Sequence, residues 1–118
     1  MPSPRHAVSA IAALCVLSAG LAAQQPRSRY DRFTEPIQIF KTGLGTFTKP
    51  MSSGNKEAQA FFDQGFQMMY SFAKPEAVRS FREAWKRDPG CAICYWGEAW
   101  AWGSYLNEPM NDADAPHA

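Results

Sequence analysis

Proline and glycine punctuate the second half of this chain so closely that no helix there can run beyond about four turns. Pro75 and the pair Pro89-Gly90 divide residues 56–105 into three stretches. In the first, Ala58, Phe61, Phe62, Gly65, Phe66, Met68 and Met69 recur at three- and four-residue spacing. That is a helical period, and Gly54-Asn55 with Glu57 behind it suits a helix start. The second, "AKPEAVRSFREAWKRDPG", opens on Pro75 and Glu76, which favour a helix N-terminus, and closes on Lys86 and Arg87, which favour its other end. Ala77, Phe81, Ala84 and Trp85 make its inner stripe; Glu76, Arg79, Arg82, Glu83, Lys86 and Arg87 are expected to make a solvated outer one, with Arg79 and Glu83 four apart. Helices this short hold only by burying a face against a neighbour. The expectation is an all-α fold: an antiparallel helical hairpin, then a third helix from Cys91 to about Tyr105.

The rest of the 118 residues is organised differently. Residues 1–23 read as a secretory signal peptide, with Arg5 and His6 before the apolar "AVSAIAALCVLSAGL" and small residues for cleavage after Ala22 or Ala23. The apolar core is shorter than the roughly 20 residues a membrane span needs, so no stable span is expected after cleavage; a retained anchor is the less favoured alternative. Cys15 leaves with the signal. Residues 24–54 form a lead-in broken by Pro26, Pro36, Gly43, Gly45 and Pro50, read as irregular. Its "GLG" lacks the third glycine of a dinucleotide fingerprint and opens no helix, so it reads as a turn. Residues 107–118 read as a loop ending before a further helix. Loss of Arg5 leaves eleven basic residues, twelve less one, against eleven acidic ones. A near-neutral chain argues against nucleic acid or an anionic membrane as the partner.

Residues 58–91 resemble a tetratricopeptide repeat, a helix-turn-helix unit of 34 residues with a sparse signature. Phe61 stands at the large aromatic position, Gly65 at the small one, Ala77, Phe81 and Ala84 along the second helix, and Pro89 at the close. Gln64 replaces the usual Leu and Met68 the usual Tyr. A shift of 34 residues carries Phe61 to Tyr95, Gly65 to Ala99 and Met68 to Trp102, so a second unit starts at Ala92. The resemblance implies a solenoid fragment over residues 55–106, one repeat plus the first helix of another, similar to the N-terminal part of larger bacterial secreted proteins of this kind. Such repeats need about three units for independent stability. Further repeats or self-association are therefore expected to cover the third helix, with its Tyr95, Trp96, Trp100, Trp102 and Tyr105.

Cys91 and Cys94 invite chemistry, and most of it fails on spacing. Tyr95 stands where covalent haem attachment needs histidine, and a zinc site needs four ligands where His117 is the one histidine left after processing. A thiol at a helix N-terminus is a better nucleophile, yet the strand-helix-strand setting of thioredoxin-like centres is absent. A local structural disulfide or a packed pair of thiols is preferred to a redox pair. Nucleophilic catalysis lacks an imidazole near a nucleophile, and the acidic residues of the second helix alternate with cations instead of sharing a cleft.

The expected function follows from the resemblance: an exported scaffold, periplasmic or secreted, that binds a protein or peptide and has neither catalytic residues nor a cofactor or metal. The concave face would take Gln59, Phe62, Phe66, Met69, Ile93, Trp96 and Trp100. That face is aromatic and almost uncharged, so it suits apolar recognition, packing of the lead-in into the groove, or packing against neighbouring helices. The rival is a periplasmic thiol-disulfide or metal-binding protein centred on Cys91 and Cys94.

Overall fold

The computed structural model describes residues 30–118; the expected signal peptide lies outside them. Four helices follow one another: α1 (Asp31–Thr34), α2 (Lys56–Tyr70), α3 (Lys74–Arg87) and α4 (Ala92–Trp102), with a 3-10 turn at Ala115–His117. Among the described residues there is no strand, only an isolated bridge between Tyr105 and Glu108. The chain is all-α.

Helix α2 starts where the sequence indicates. The Asn55 side chain accepts from the Glu57 and Ala58 N–H groups at 3.0 and 3.1 Å, capping two donors that have no partner inside the helix. Its amide also donates to the Arg87 carbonyl at 2.9 Å, tying the start of α2 to the end of α3. At the other end the Ala73 N–H bonds the Met68 carbonyl at 3.0 Å and the Phe72 N–H bonds the Met69 carbonyl at 3.2 Å. This paired closure reverses the chain in three residues, and it needs a left-handed residue at its centre. Phe72 fills that place at φ 62°, where glycine is usual.

The core is organised around one ring. Phe81 of α3 is fully buried, and glycines from two other helices face it. A β-carbon at Gly65 of α2 would come within 2.9 Å of the ring, and one at Gly97 of α4 within 2.5 Å. Helices α2 and α4 therefore both close on α3 at backbone distance. Around this joint Ala58, Phe62, Ala77, Val78, Ala84, Cys94 and Ala101 are completely buried.

Helix α4 ends at Trp102, short of the expected Tyr105. The Gly103 carbonyl is taken by the Lys74 ammonium at 2.8 Å, and Tyr105 pairs with Glu108 through two backbone bonds of 2.7 and 3.2 Å. Continuing the helix would break both.

From Tyr30 to Gly54 the lead-in is irregular in backbone apart from the single turn of α1, yet it is docked at several points. Phe33 and Ile37 are buried, and Phe33 stacks on Trp102 with ring centroids 4.5 Å apart. The outer face of α3 is not simply solvated, which corrects the sequence expectation. Arg79 donates to the Glu35 and Pro36 carbonyls at 2.9 and 3.1 Å. Arg82 donates to the Phe33 carbonyl at 3.1 Å and pairs with Glu98 of α4, its Nε lying 3.0 Å from the carboxylate. Arg79 does not pair with Glu83; its nearest carboxylate contact is Glu76 at 4.0 Å. At Phe33, Glu35 and Pro36 the guanidinium forks supply charge-assisted donors to the lead-in carbonyls.

Gln64 explains its departure from the repeat signature. It is 2% exposed, where an unmatched amide would be costly. Its oxygen accepts from the Phe40 N–H at 2.7 Å, and its NH2 donates to the Gln38 carbonyl at 3.0 Å and the Ser80 hydroxyl at 3.1 Å. A leucine there would leave the lead-in backbone unanswered.

Candidate binding face

The side chains expected to share one face divide into two groups. Phe62 and Met69 are 0% and 1% exposed, so they belong to the core and present no surface to a partner. Phe62 packs on Phe81 of α3, with ring centroids 5.4 Å apart, and Met69 lies in the same core cluster. Phe66, Ile93 and Trp100 are half-buried and Trp96 is exposed. Phe66 lies between the helices, with its ring centroid 5.5 Å from Trp100, and Trp96 stacks on Trp100 at 5.3 Å and 15°. Two aromatic residues that periodicity did not single out for this face extend it. Tyr70 lies 5.4 Å from Phe66, and Phe47 of the lead-in stacks on Phe66 at 5.5 Å. Phe47, Phe66, Gln67, Tyr70 and Ser71 line a cleft of about 440 Å3. The rings that make up this patch, Phe47, Phe66, Tyr70, Trp96 and Trp100, carry no formal charge.

The residues of the repeat signature fall in several environments. Phe61 is buried beneath the Arg87 guanidinium, whose central carbon sits 4.0 Å from the ring centroid. Ala77 and Ala84 pack without exposure, and Pro89 is exposed in the turn after α3. Tyr95, related to Phe61 by the 34-residue shift, is 44% exposed and stacks on Trp85 at 5.1 Å. Ala99 is half-buried. The glycine that meets Phe81 from α4 is Gly97, two residues before the position the shift indicates.

Cys91 and Cys94 form a disulfide, with Cys91 at the N-cap of α4. Both sulfurs lie against Met51, its Sδ being 3.6 Å from Cys91 Sγ and 3.7 Å from Cys94 Sγ. Cys91 is 6% exposed and Cys94 is fully buried. Paired and covered in this way, neither sulfur is a nucleophile as it stands. Among the described residues no group of three or more His, Cys, Asp or Glu side chains is placed to hold a metal ion. The His117 ring packs on Trp102 at 4.8 Å.

One carboxylate is shifted. Burial pushes the pKa of Glu83 up, but hydrogen bonds and charge from Arg87 and Lys86, at 2.6 and 3.0 Å, outweigh it and hold the group below the usual glutamate range. It sits in the ion-pair network of α3, away from the aromatic face. Among the described residues no helix is long and apolar enough to cross a membrane. No family model matches the chain, and neither curated proteins nor solved structures give a match.

Proposed function

We propose that this chain belongs to an exported, non-catalytic scaffold of tetratricopeptide type that holds a protein or peptide partner on its aromatic face. The observation that carries the reading is the patch of Phe47, Phe66, Tyr70, Trp96 and Trp100, whose rings stand within 5.3–6.4 Å of one another in sequence along the patch. Trp96 is 51% exposed and Tyr70 is 70% exposed. A contiguous uncharged aromatic surface of this kind favours a partner, because Trp and Tyr supply large contact area at low entropic cost. The solenoid reading draws support from the order of the elements: α2 and α4 both close on Phe81 of α3 through a glycine, as successive first helices on a shared second helix would. The rival thiol-disulfide or metal-binding role at Cys91 and Cys94 has less support, since the sulfurs are bonded and covered.

A photo-crosslinking residue at Trp96, compared with one at Lys86 on the far side of α3, tests the reading in the cell that makes the protein. A discrete protein adduct from position 96 and none from position 86 is expected. Equal labelling at both, or none at either, would remove the aromatic face as a partner site.

A further inference from the structure

A row of three polar side chains on α2 reads the backbone of the lead-in. Gln59, Asp63 and Gln67 stand four residues apart on one side of the helix. Gln67 donates to the Phe47 carbonyl at 3.0 Å. Asp63 accepts from the Lys49 N–H at 2.9 Å and from the Thr48 hydroxyl at 2.6 Å. Gln59 donates to the Lys49 carbonyl at 2.8 Å and accepts from the Met51 N–H at 3.2 Å. It also donates to Asp63 at 2.9 Å, which fixes the row against itself.

The backbone groups taken are those of residues 47, 49 and 51, alternate positions along the chain. The match has a geometric cause. Four residues of helix rise about 6.0 Å, and two residues of extended chain advance about 6.6 Å. A period-four row on a helix can therefore follow one edge of an antiparallel extended peptide for three steps. Pro50, which has no N–H, falls where none is read.

Main-chain readout tolerates many sequences, and the ends of the segment supply the choice. Phe47 stacks on Phe66 and forms one wall of the cleft, and Met51 lies against the disulfide. The hold on this segment is partly open to water: Phe47 is 54% exposed and the Gln67 and Thr48 bonds face solvent, while the bonds to Lys49 and Met51 are half-buried and no residue from 47 to 51 is fully buried. Segments held this way open at low free energy.

We infer that the Gln59–Asp63–Gln67 row is a peptide-binding ladder, and that residues 47–51 are its tethered occupant, displaced by an extended peptide of a partner that carries an aromatic residue and, four positions on, a methionine. The inference rests on the proposed binding role and adds its regulation: the partner must first displace the chain's own segment. Its apparent affinity is the intrinsic one reduced by the fraction of molecules with the ladder open.

The test uses a fluorescein-labelled peptide with the sequence of residues 46–52, titrated by anisotropy against the full chain. The probe should bind F47A/M51A at least tenfold more tightly than the unaltered chain. Adding Gln59→Ala and Gln67→Ala to that background should cost at least tenfold again, with helicity by circular dichroism unchanged. Failure of the folded open variant to bind, or binding indifferent to the two glutamines or to scrambling of the peptide, would overturn the inference. Should F47A/M51A lose helicity, excess unlabelled peptide added to the 15N-labelled unaltered chain decides instead: shifts at the Lys49 and Met51 amides support displacement, and unmoved amides refute it. Peptide binding without a Trp96 adduct would uphold the ladder and sink the scaffold reading at the aromatic face; the reverse result would do the opposite.

Discussion

Gly97 runs so near Phe81 that a β-carbon on it would lie 2.5 Å from the ring. The ring has little room to yield, because it is fully buried and a β-carbon on Gly65 of α2 would also lie 2.9 Å from it. Gly97→Ala should therefore overpack the joint by about 1–3 kcal/mol, less about 1 kcal/mol returned by better helix propensity. Gly65→Ala should cost less. Urea unfolding of the two variants checks the order, and a Gly97→Ala protein as stable as the original would mean that α4 docks elsewhere.

Gln64 stands where the repeat resemblance expects Leu and holds the lead-in backbone instead. Gln64→Leu should lower stability by about 1–3 kcal/mol, the cost of stranding the Phe40 N–H and its neighbours. The loss should be local as well as global. Hydrogen exchange at Phe40 should accelerate and limited proteolysis should cut within residues 35–50, while α2 and α3 remain helical by circular dichroism.

These two sites show what could be read from the chain and what could not. The spans of α2 and α3 were legible because apolar spacing, Asn55, Pro75 and the Pro89-Gly90 stop all agree on them. The repeat resemblance marked Gly65 as a small position, and the ring found against it is that of Phe81. The second approach to that ring was not marked: shifting the pattern points to Ala99, whereas α4 presents Gly97. Packing of the lead-in on the helices is among the sequence expectations, and Phe47 does stack on Phe66, but its polar anchors were illegible for a different reason. Its bonds run from Gln64, Arg79 and Arg82 to carbonyls and amides, and a backbone group leaves no mark in a sequence. The same is true of the Lys74 bond to Gly103 that ends α4 early.

The disulfide gives a chemical test. Iodoacetamide applied to the folded, unreduced protein should leave Cys91 and Cys94 unmodified, and mass spectrometry should find both labelled after reduction and unfolding. Replacing both by alanine should cost about 2 kcal/mol, the closure entropy of so short a loop. Ready labelling of Cys91 without reductant would instead favour the redox rival.

Acid should weaken the fold through Glu83. Its pKa is held below the ordinary range by Arg87 and Lys86 against the opposing effect of burial. A group depressed in the folded state contributes its full stabilisation above its unfolded pKa and loses it as pH falls through the folded one. The urea midpoint should thus fall as pH drops through and below the usual glutamate range. Glu83→Gln should flatten that slope while lowering stability at neutral pH; an unchanged slope would show that the ion pairs do not persist in solution.

Arg82 joins three parts of the molecule through a single guanidinium: it stands on α3, holds the Phe33 carbonyl of the lead-in and pairs with Glu98 of α4. The Trp85 indole donates to the same carboxylate at 2.5 Å. The lead-in and α4 are consequently linked without relying on a direct polar contact between them. A change that draws Glu98 away from Arg82 shifts the position of the fork and so its grip on Phe33, and by thermodynamic reciprocity a change in the lead-in is felt to the same degree at α4.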